Sequence, residues 1–153
     1  ELDLFRRQIA RPVEAPEWPI RQPRRPPWGA ANRVDRDSFE PLWRLGELGL
    51  KEAFDAISRS VFLAVGDAEE LAGFAIVGTG GGIGYLQRIA VHPNHRRRGI
   101  GRALVRAAFH FVHRHGGHSI LLNTQPDNQA AAALYESEGF VRDRSRLLVL
   151  RSR

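Results

Sequence analysis

The spacing of the apolar residues changes period near residue 60, and this change constrains the fold more than any other feature. Over 35–45 and 48–57 apolar residues recur every three or four positions, which predicts two short helices. Beyond this point three compact apolar runs follow one another, at 61–65, 71–77 and 85–91, with turn residues between them. These runs predict three consecutive strands that form a meander.

An amphipathic segment follows the third strand. Apolar residues at helical spacing predict a helix over 100–115, which the glycine pair after residue 115 ends. A short strand at 119–123, an alanine-rich helix at 128–137 and one or two strands within 141–150 complete the pattern. This order predicts an α+β fold with a mixed, mostly antiparallel twisted sheet and a strand-helix-strand crossover.

The first 27 residues differ in composition from the rest of the chain. They are rich in Arg and Pro, and the segment 22–27 cannot form an interior helix or a central strand. We therefore predict an arm, linker or edge strand over 1–27, with a short strand at 18–22 as an alternative, and one compact domain over 28–153. Because the sequence starts at Glu1 and contains no Met, a trimmed start and a larger parent protein stay open.

Basic residues outnumber acidic ones by 23 to 17, which gives a formal charge of +6 and a sequence pI near 11.1. This excess predicts an anionic partner. Nucleic acid and a phosphorylated small molecule both meet that description, so the positions of the arginines have to distinguish them. The arginines lack interleaved exposed aromatic residues and cluster ahead of the 100–115 helix, which argues against nucleic acid.

The residue types that are missing exclude several kinds of site. Because the chain has no cysteine, a disulfide framework, a thiolate zinc site and a cysteine nucleophile are excluded. No apolar run approaches the roughly 20 residues of a membrane helix, and the first residues lack a basic region followed by an apolar one. We therefore expect a cytoplasmic protein without a membrane partner.

A loop rich in Gly and Arg, here called the Gly-Arg loop, lies between the third strand and the long helix. Its residues are Arg96, Arg97, Arg98, Gly99, Ile100, Gly101 and Arg102. Unpaired N–H groups and the positive end of a helix dipole meet there, and the glycines let the backbone approach an anion. The loop therefore predicts a pyrophosphate site, with an exposed turn before a solvated helix as the alternative. A nucleotide P-loop fails because no Lys follows, and a dinucleotide fingerprint is at best partial because Leu104 is large.

The same loop and the strand before it form the first of two recognisable signatures. Arg96-x-x-Gly99-x-Gly101, preceded by residues 86–93, resembles the acetyl-CoA-binding signature of the GNAT superfamily of N-acetyltransferases. The spacing and the position between a strand and a helix both match that signature.

A second match lies downstream, over 128–140. Asn128 opens an alanine-rich helix that ends in a Leu-Tyr pair and is followed by Gly-Phe, which looks like the second signature of the superfamily. Together the two signatures, in the right element order, cover about 61–141. The chain is therefore identified by resemblance as a GNAT member.

Membership implies an α/β/α fold and an enzyme that moves an acetyl group from acetyl-CoA to a primary amine by direct transfer, without a metal. The main chain of the third strand would pair with the pantetheine arm and offer an N–H to the thioester oxygen. The Gly-Arg loop would hold the pyrophosphate, and Asn128 would hold the cofactor from the following helix. The residues to which the resemblance assigns acetyl-CoA binding are Ile89, Ala90, Val91, Arg96, Arg97, Arg98, Gly99, Ile100, Gly101, Arg102, Asn128 and Tyr135.

Tyr135 is the catalytic residue that the resemblance implies. It falls where many members place a tyrosine able to protonate the departing thiolate, although core packing is the alternative for a tyrosine on an alanine-rich helix. Many members also carry a glutamate as general base on the strand before the loop, but 85–91 contains no carboxylate. His92, Glu47 and Asp35 are candidates by position, and both these residues and a water chain stay open as the base.

Four histidines lie close together at the end of the long helix and just beyond it. They are His110, His113, His115 and His118. Helix geometry puts only neighbours three or four apart on one face, and no acidic ligand accompanies them. Interaction with the carboxyl end of the helix is therefore favoured over metal binding.

The acceptor amine is not defined by the sequence, so a small molecule, a protein N-terminus and a lysine stay open. Three aromatic residues either line an acceptor pocket or pack in the core: Trp28, Phe39 and Trp43. The oligomeric state is open as well, with a homodimer as one alternative. A non-catalytic acyl-CoA-binding sensor or interaction domain is the alternative function, because the strand carboxylate is missing.

Overall fold

The computed structural model describes residues 2–9 and 13–147. Its strands are β1 (Leu2–Gln8), β2 (Arg59–Gly66), β3 (Leu71–Gly80), β4 (Ile83–Val91), β5 (Ser119–Thr124) and β6 (Val141–Leu147). Its α-helices are α1 (Trp28–Ser38), α2 (Gly46–Asp55), α3 (Ile100–Arg114) and α4 (Gln129–Ser137), and short 3-10 helices span Pro41–Trp43 and Pro93–His95. The strands form one mixed sheet in the order β2-β3-β4-β5-β1-β6. The predicted α+β class is confirmed.

The centre of the sheet follows the predicted connectivity. Strands β2, β3 and β4 pair antiparallel as a meander. Helix α3 then crosses over, and β5 returns parallel to β4, paired from Ile83 with Ser119 to Leu86 with Leu122. This strand-helix-strand unit puts the start of α3 beside the end of β4, where the Gly-Arg loop connects them.

The prediction of an arm or edge strand over 1–27 is wrong for residues 2–8. These residues form β1, which pairs antiparallel with β5 on one side and β6 on the other and therefore lies inside the sheet. Phe5 is fully buried, but the segment is short and its partners are more than a hundred residues away, so its pairing left no local signal. In place of a strand at 18–22, Arg21 makes an isolated bridge to Ala64. The division of the chain at residue 28 stays a prediction.

Helix α1 spans 28–38, whereas the sequence predicts a helix over 35–45. Pro27 is its N-cap residue, so the helix begins where the Arg/Pro segment ends. It ends before Phe39, which is extended at φ −117° and ψ 147°. Residues 41–43 form a 3-10 turn instead, and Leu42 is exposed there.

Two hydrophobic cores lie on opposite faces of the sheet. Leu63 and Phe109 belong to the core under α3, while Phe62 and Phe74 stack with ring centroids 5.3 Å apart in the core under α1 and α2. Burying each such side chain contributes about 1.5–3 kcal/mol. Ile100, the first residue of α3, is 1% exposed, so the larger core fixes the start of this helix. In the described part of the chain, no helix has both the length and the apolar character needed to cross a membrane.

Candidate active site

The parallel strands β4 and β5 separate halfway along β4. Their last paired residues are Leu86 and Leu122, while β4 continues to Val91 beside β3. At the point of separation β4 carries an extra residue, Gln87, which has no partner on β3. Such a β-bulge increases the local twist of a strand. A wedge therefore opens between the second half of β4 and the end of β5.

A groove of about 730 Å³ extends from this wedge to the start of α3. Its lining residues are Ser38, Phe39, Ile89, Ala90, Val91, His95, Arg96, Arg97, Gly99, Ile100, Gly101, Arg102, Asn128, Ala130, Ala131, Leu134 and Tyr135. Every residue that the sequence assigns to acetyl-CoA is among them except Arg98. The fold therefore brings β4, the Gly-Arg loop and α4 together around one groove, and the binding role of these residues stays a prediction.

The Gly-Arg loop has the backbone of an anion site. Arg97 and Gly99 are left-handed, with φ of 64° and 79°, and Gly99 is the N-cap residue of α3 without a side-chain cap. The first turn of α3 also contains no acidic residue. The unpaired N–H groups and positive dipole of a helix start therefore meet the groove at Gly99 to Gly101.

The four arginines of this loop do not contribute equally to the positive charge of the groove. Arg102 is paired with Glu138 at 2.6 Å. Arg98 does not line the groove, and its side chain lies 3.4 Å from His95. Arg96 donates to the Ser38 carbonyl at 3.4 Å. Among the described residues no carboxylate pairs with Arg96 or Arg97, so these two supply the uncompensated charge of the groove.

Helix α4 forms the opposite wall. Asn128 is its N-cap residue, and its Oδ1 accepts a hydrogen bond from the Ala131 N–H at 3.2 Å. This cap occupies the side-chain oxygen, and the amide nitrogen has no hydrogen-bond partner among the described residues. Ala131, Leu134 and Tyr135 follow at helical spacing and present one face of α4 to the groove.

Tyr135 is 5% exposed and lies at the junction of the groove with a smaller side pocket. Its ring packs against Phe5 and Phe140, with centroids 5.7 Å apart in both pairs. Burial raises the pKa of the Tyr135 hydroxyl to about 12, against the opposing effect of the Arg88 charge. Within the described structure this hydroxyl has no hydrogen-bond partner, so it is a protonated donor available to a ligand.

The side pocket, of about 110 Å³, has mainly uncharged polar walls. Its lining residues are Phe39, Leu86, Gln87, Arg88, Ile89, Leu122, Asn123, Thr124, Gln125, Asn128, Ala131 and Tyr135. Within the described residues no carboxylate lines this pocket or the groove. A ligand that enters both spaces would meet an anion site at one end, a buried hydroxyl in the middle and amide groups at the other end.

Comparison with known proteins identifies this arrangement. Residues 28–140 match the family model described as the acetyltransferase (GNAT) family. The chain belongs to this family. The resemblance of the two sequence signatures is thereby confirmed.

Individual relatives agree with this assignment. The chain is 40% identical over 91 residues to a streptothricin acetyltransferase of Streptomyces lavendulae, covering 58% of this chain and 48% of that enzyme. It is 34% identical over 103 residues to a mycothiol acetyltransferase of Paenarthrobacter aurescens, covering 63% of this chain and 32% of that enzyme. The ribosomal-protein-S18-alanine N-acetyltransferase from Escherichia coli superposes with a TM-score of 0.67 at 25% identity, covering 78% of this chain and 74% of that one. The chain spans less than half the length of the curated relatives it matches.

None of the three candidate bases of this GNAT chain lines the groove or the side pocket. Asp35 is fully buried and forms an ion pair with Arg88 at 2.7 Å. It also accepts a hydrogen bond from the Leu45 N–H at 3.1 Å, so its role is structural. His92 Nδ1 accepts the Asn94 N–H at 3.1 Å, which leaves the proton on Nε2, 3.1 Å from Asp37. Hydrogen bonding to His92 lowers the pKa of Asp37.

Glu47 is the third candidate, and it is also engaged elsewhere. Its side chain is 49% exposed and pairs with Lys51 at 3.6 Å, one turn along α2. A water chain therefore stays open as the route by which the GNAT site deprotonates an amine.

The early aromatic residues divide between the site and the core. Phe39 lines both the groove and the side pocket. The Arg88 guanidinium lies over its ring, with the guanidinium carbon 3.7 Å from the ring centroid. The Trp43 carbonyl accepts from Arg88 at 2.7 Å. Trp28 packs edge-on against Phe62 in the core under α1 and α2.

Two of the four histidines, His110 in α3 and His115 at its carboxyl end, make hydrogen bonds to main-chain carbonyls. His115 donates through Nδ1 to the Phe111 carbonyl at 2.8 Å, near the carboxyl end of the helix. His110 Nε2 lies 3.1 Å from the Glu14 carbonyl. Over residues 2–9 and 13–147, no three His, Cys, Asp or Glu side chains cluster as a metal site would require.

Sequence reasoning missed several residues of the site. Ser38 lines the groove and donates through Oγ to the Val91 carbonyl at 3.1 Å, a contact between distant elements that leaves no local signal. Ala131 and Leu134, by contrast, were recoverable, because they lie three and six positions after Asn128 on the same helix face.

Proposed function

We propose that the chain is an acetyl-CoA-dependent N-acetyltransferase that moves the acetyl group directly to a primary amine. The observation that carries this proposal is the groove, which joins the uncapped start of α3 to the hydroxyl of buried Tyr135, a hydroxyl with no hydrogen-bond partner among the described residues. Membership of the GNAT family supports the same reaction.

The residues present fit acetyl-CoA. The uncompensated Arg96 and Arg97 and the N–H groups at the start of α3 suit the pyrophosphate. The main chain of Ile89 to Val91, which pairs with no described strand on the wedge side, suits the amide groups of the pantetheine arm. The amide nitrogen of Asn128 binds from the opposite wall.

When bound, acetyl-CoA supplies an acetyl group activated as a thioester. The second half of β4 provides main-chain N–H groups that stabilise negative charge developing on the thioester oxygen. Tyr135 donates a hydrogen bond to the sulfur as its bond to the acetyl carbon breaks. Because its pKa of about 12 lies above that of an ordinary thiol, near 8.5, this donor stabilises the thiolate more than it drives full proton transfer.

The attacking amine must lose a proton, and the site handles this step without a carboxylate in the described lining. We assign the proton to water in the side pocket, oriented by Gln87, Asn123 and Gln125. Such a site selects the neutral form of the amine, so the rate rises with pH until the amine is deprotonated.

The acceptor is a primary amine on a small molecule or at a protein N-terminus or lysine. The relatives' names include streptothricin, mycothiol and the alanine of a ribosomal protein, so they support no single acceptor within the amine class. A cytoplasmic location accompanies this proposal, consistent with a chain that has no cysteine.

The test is release of free coenzyme A thiol from acetyl-CoA in the presence of a panel of primary amines. We expect release that depends on one class of amine and rises with pH, with product confirmed as the N-acetyl amide. Tight binding of acetyl-CoA without release for any amine would favour the alternative of a non-catalytic acyl-CoA-binding domain.

A further inference from the structure

A segment upstream of the region that the family model matches crosses the outside of the Gly-Arg loop. This segment, residues 13–21, is here called the strap. It has no regular secondary structure apart from its bridge at Arg21. Its position still follows from specific contacts at both ends and in the middle.

The first end of the strap is held by α3. Arg106 lies 2.9 Å from the Glu14 carboxylate, and it donates to the Ala15 carbonyl at 3.4 Å. Arg106 is itself 8% exposed and is fixed by Glu138 at 2.8 Å, so this anchor has little freedom to move. His110, one turn further along α3, lies 3.1 Å from the Glu14 carbonyl.

The second end of the strap is held by β2. Arg21 and Ala64 exchange two main-chain hydrogen bonds, each 2.9 Å long. The Arg21 side chain also donates through Nε to the Gly66 carbonyl at 2.7 Å. The two ends of the strap are therefore attached to regular elements, to α3 at Arg106 and to β2 at Ala64.

Trp18 lies between these anchors and contacts the loop directly. Its indole Nε1–H donates to the Arg98 carbonyl at 2.7 Å, and the ring is partly buried against the main core. A Cβ built on Gly99 would lie 3.9 Å from the same nitrogen. Trp18 does not line the groove, so it approaches the loop from the outside.

This hydrogen bond fixes a peptide plane that matters for anion binding. The Arg98 carbonyl and the Gly99 N–H belong to one peptide unit, and no peptide in the described chain is cis. In a trans peptide these two groups point in opposite directions. Holding the carbonyl toward Trp18 therefore turns the Gly99 N–H the other way, toward the groove that Gly99 lines.

The loop needs such a restraint. Arg98 lies between two left-handed residues, Arg97 at φ 64° and Gly99 at φ 79°. Left-handed backbone is costly for a residue other than glycine and persists only where its surroundings enforce it. Because Gly99 has no Cβ, its own conformation does not fix the peptide plane.

We propose that Trp18 is a positioning residue that sets the affinity of this chain for the pyrophosphate of acetyl-CoA by holding the Arg98–Gly99 peptide. This inference rests on the proposed acetyl-CoA site. It assigns a role in cofactor binding to a residue that lies before the family match and outside the groove.

The test compares two ligands and two variants. Trp18→Phe removes the N–H donor and keeps an aromatic ring. Acetyl-CoA carries the pyrophosphate, whereas S-acetylpantetheine lacks it. Calorimetry gives both affinities, and the weaker ligand is measured through its competition with the tighter one. Because one hydrogen bond is lost, we expect Trp18→Phe to weaken acetyl-CoA binding about fivefold to tenfold and to leave S-acetylpantetheine unchanged.

Trp28→Phe is the matched control, since Trp28 packs against Phe54 and Phe62 away from the groove. It should lower the melting temperature without changing the ratio of the two affinities. If Trp18→Phe leaves both affinities unchanged, or lowers both by the same factor, the role of Trp18 is overturned while the acetyl-CoA site stays in place. If the wild-type chain binds both ligands equally well, the pyrophosphate site itself fails.

Discussion

The two ends of the groove are built differently. At the end that we propose for the cofactor, the start of α3 presents backbone N–H groups without a side-chain cap, and the β4-α3-β5 crossover fixes its position. Arg96 and Arg97 lie beside it, and no carboxylate of the described residues pairs with them. At the other end, which we propose as the acceptor end, the side pocket is lined by amide side chains and by Arg88, which is paired with buried Asp35.

This difference separates the binding that the fold specifies from the binding that individual side chains specify. Backbone donors bind the same phosphate groups whatever the surrounding side chains are, so the cofactor end follows from topology. The acceptor end depends on a few side chains, which can change without altering the sheet. The cofactor end is therefore expected to tolerate few substitutions, and the acceptor end to tolerate more so long as its buried ion pair stays intact.

The largest effect is expected for Gly101→Glu, which attacks the cofactor end. A Cβ at Gly101 would lie 3.1 Å from Leu134 Cδ2, and the carboxylate would place negative charge where the pyrophosphate binds. We expect acetyl-CoA affinity to fall more than about a thousandfold, about 4 kcal/mol, by calorimetry. The matched control is Gly80→Glu, because nothing lies within 4 Å of a Cβ there. Binding that survives Gly101→Glu would place the anion site elsewhere.

The next largest effect is expected for Asp35→Ala at the acceptor end. It leaves Arg88, 12% exposed, without its counter-charge, and breaking such a buried pair costs about 3–5 kcal/mol of unfolding free energy. Denaturant unfolding measures this loss, with Glu47→Ala as the control for an exposed pair worth about 0.5 kcal/mol or less. Acetyl-CoA affinity of the folded variant should stay close to that of the wild type. A stable Asp35→Ala variant would show that the ion pair does not hold this wall.

A smaller effect is expected for Tyr135→Phe, at the junction of the two ends. The ring stays packed and only the donor is lost, so turnover should fall about a hundredfold while acetyl-CoA affinity changes little. Because burial raises the pKa of Tyr135 to about 12, its hydroxyl stays protonated, and the wild-type rate should show no fall below about pH 11 from this group. Tyr85→Phe is the control, since Tyr85 is exposed. Wild-type turnover in Tyr135→Phe would remove the hydroxyl from the mechanism.

The smallest effect is expected for Arg97→Asn. Asparagine tolerates the left-handed backbone at φ 64°, so this change removes charge without adding strain. Loss of one charge-assisted contact at an exposed site should weaken acetyl-CoA binding about tenfold, and less at high salt. Arg114→Asn, at the far end of α3, should change nothing. Equal effects of the two substitutions would mean that net charge, rather than the site, attracts the cofactor.

The sequence predicts which residues line the groove beside α3 better than which line the side pocket, for a physical reason. Gly99, Gly101 and Asn128 act through backbone geometry and helix capping, which depend on neighbours in sequence and therefore leave a motif. Ser38, Phe39 and the Asp35–Arg88 pair act across elements that meet only in the folded chain.

The same reason explains the errors in the fold. The meander and the crossover have local patterns, whereas β1 is recognisable only through its pairing with β5 and β6. The predicted end of α1 differs from the observed one because the periodic apolar residues beyond Phe39 continue past the helix into a 3-10 turn. Residues 148–150 of the last predicted strand lie outside the described residues.

The central claim is that the groove binds acetyl-CoA, and thermal unfolding with and without this ligand tests it most directly. A ligand that binds only the folded chain stabilises it by about 2.7 kcal/mol at a hundredfold excess over its dissociation constant. We therefore predict a melting temperature that rises with acetyl-CoA concentration and does not rise for Gly101→Glu. An unchanged melting temperature of the wild-type chain at millimolar acetyl-CoA would contradict the account.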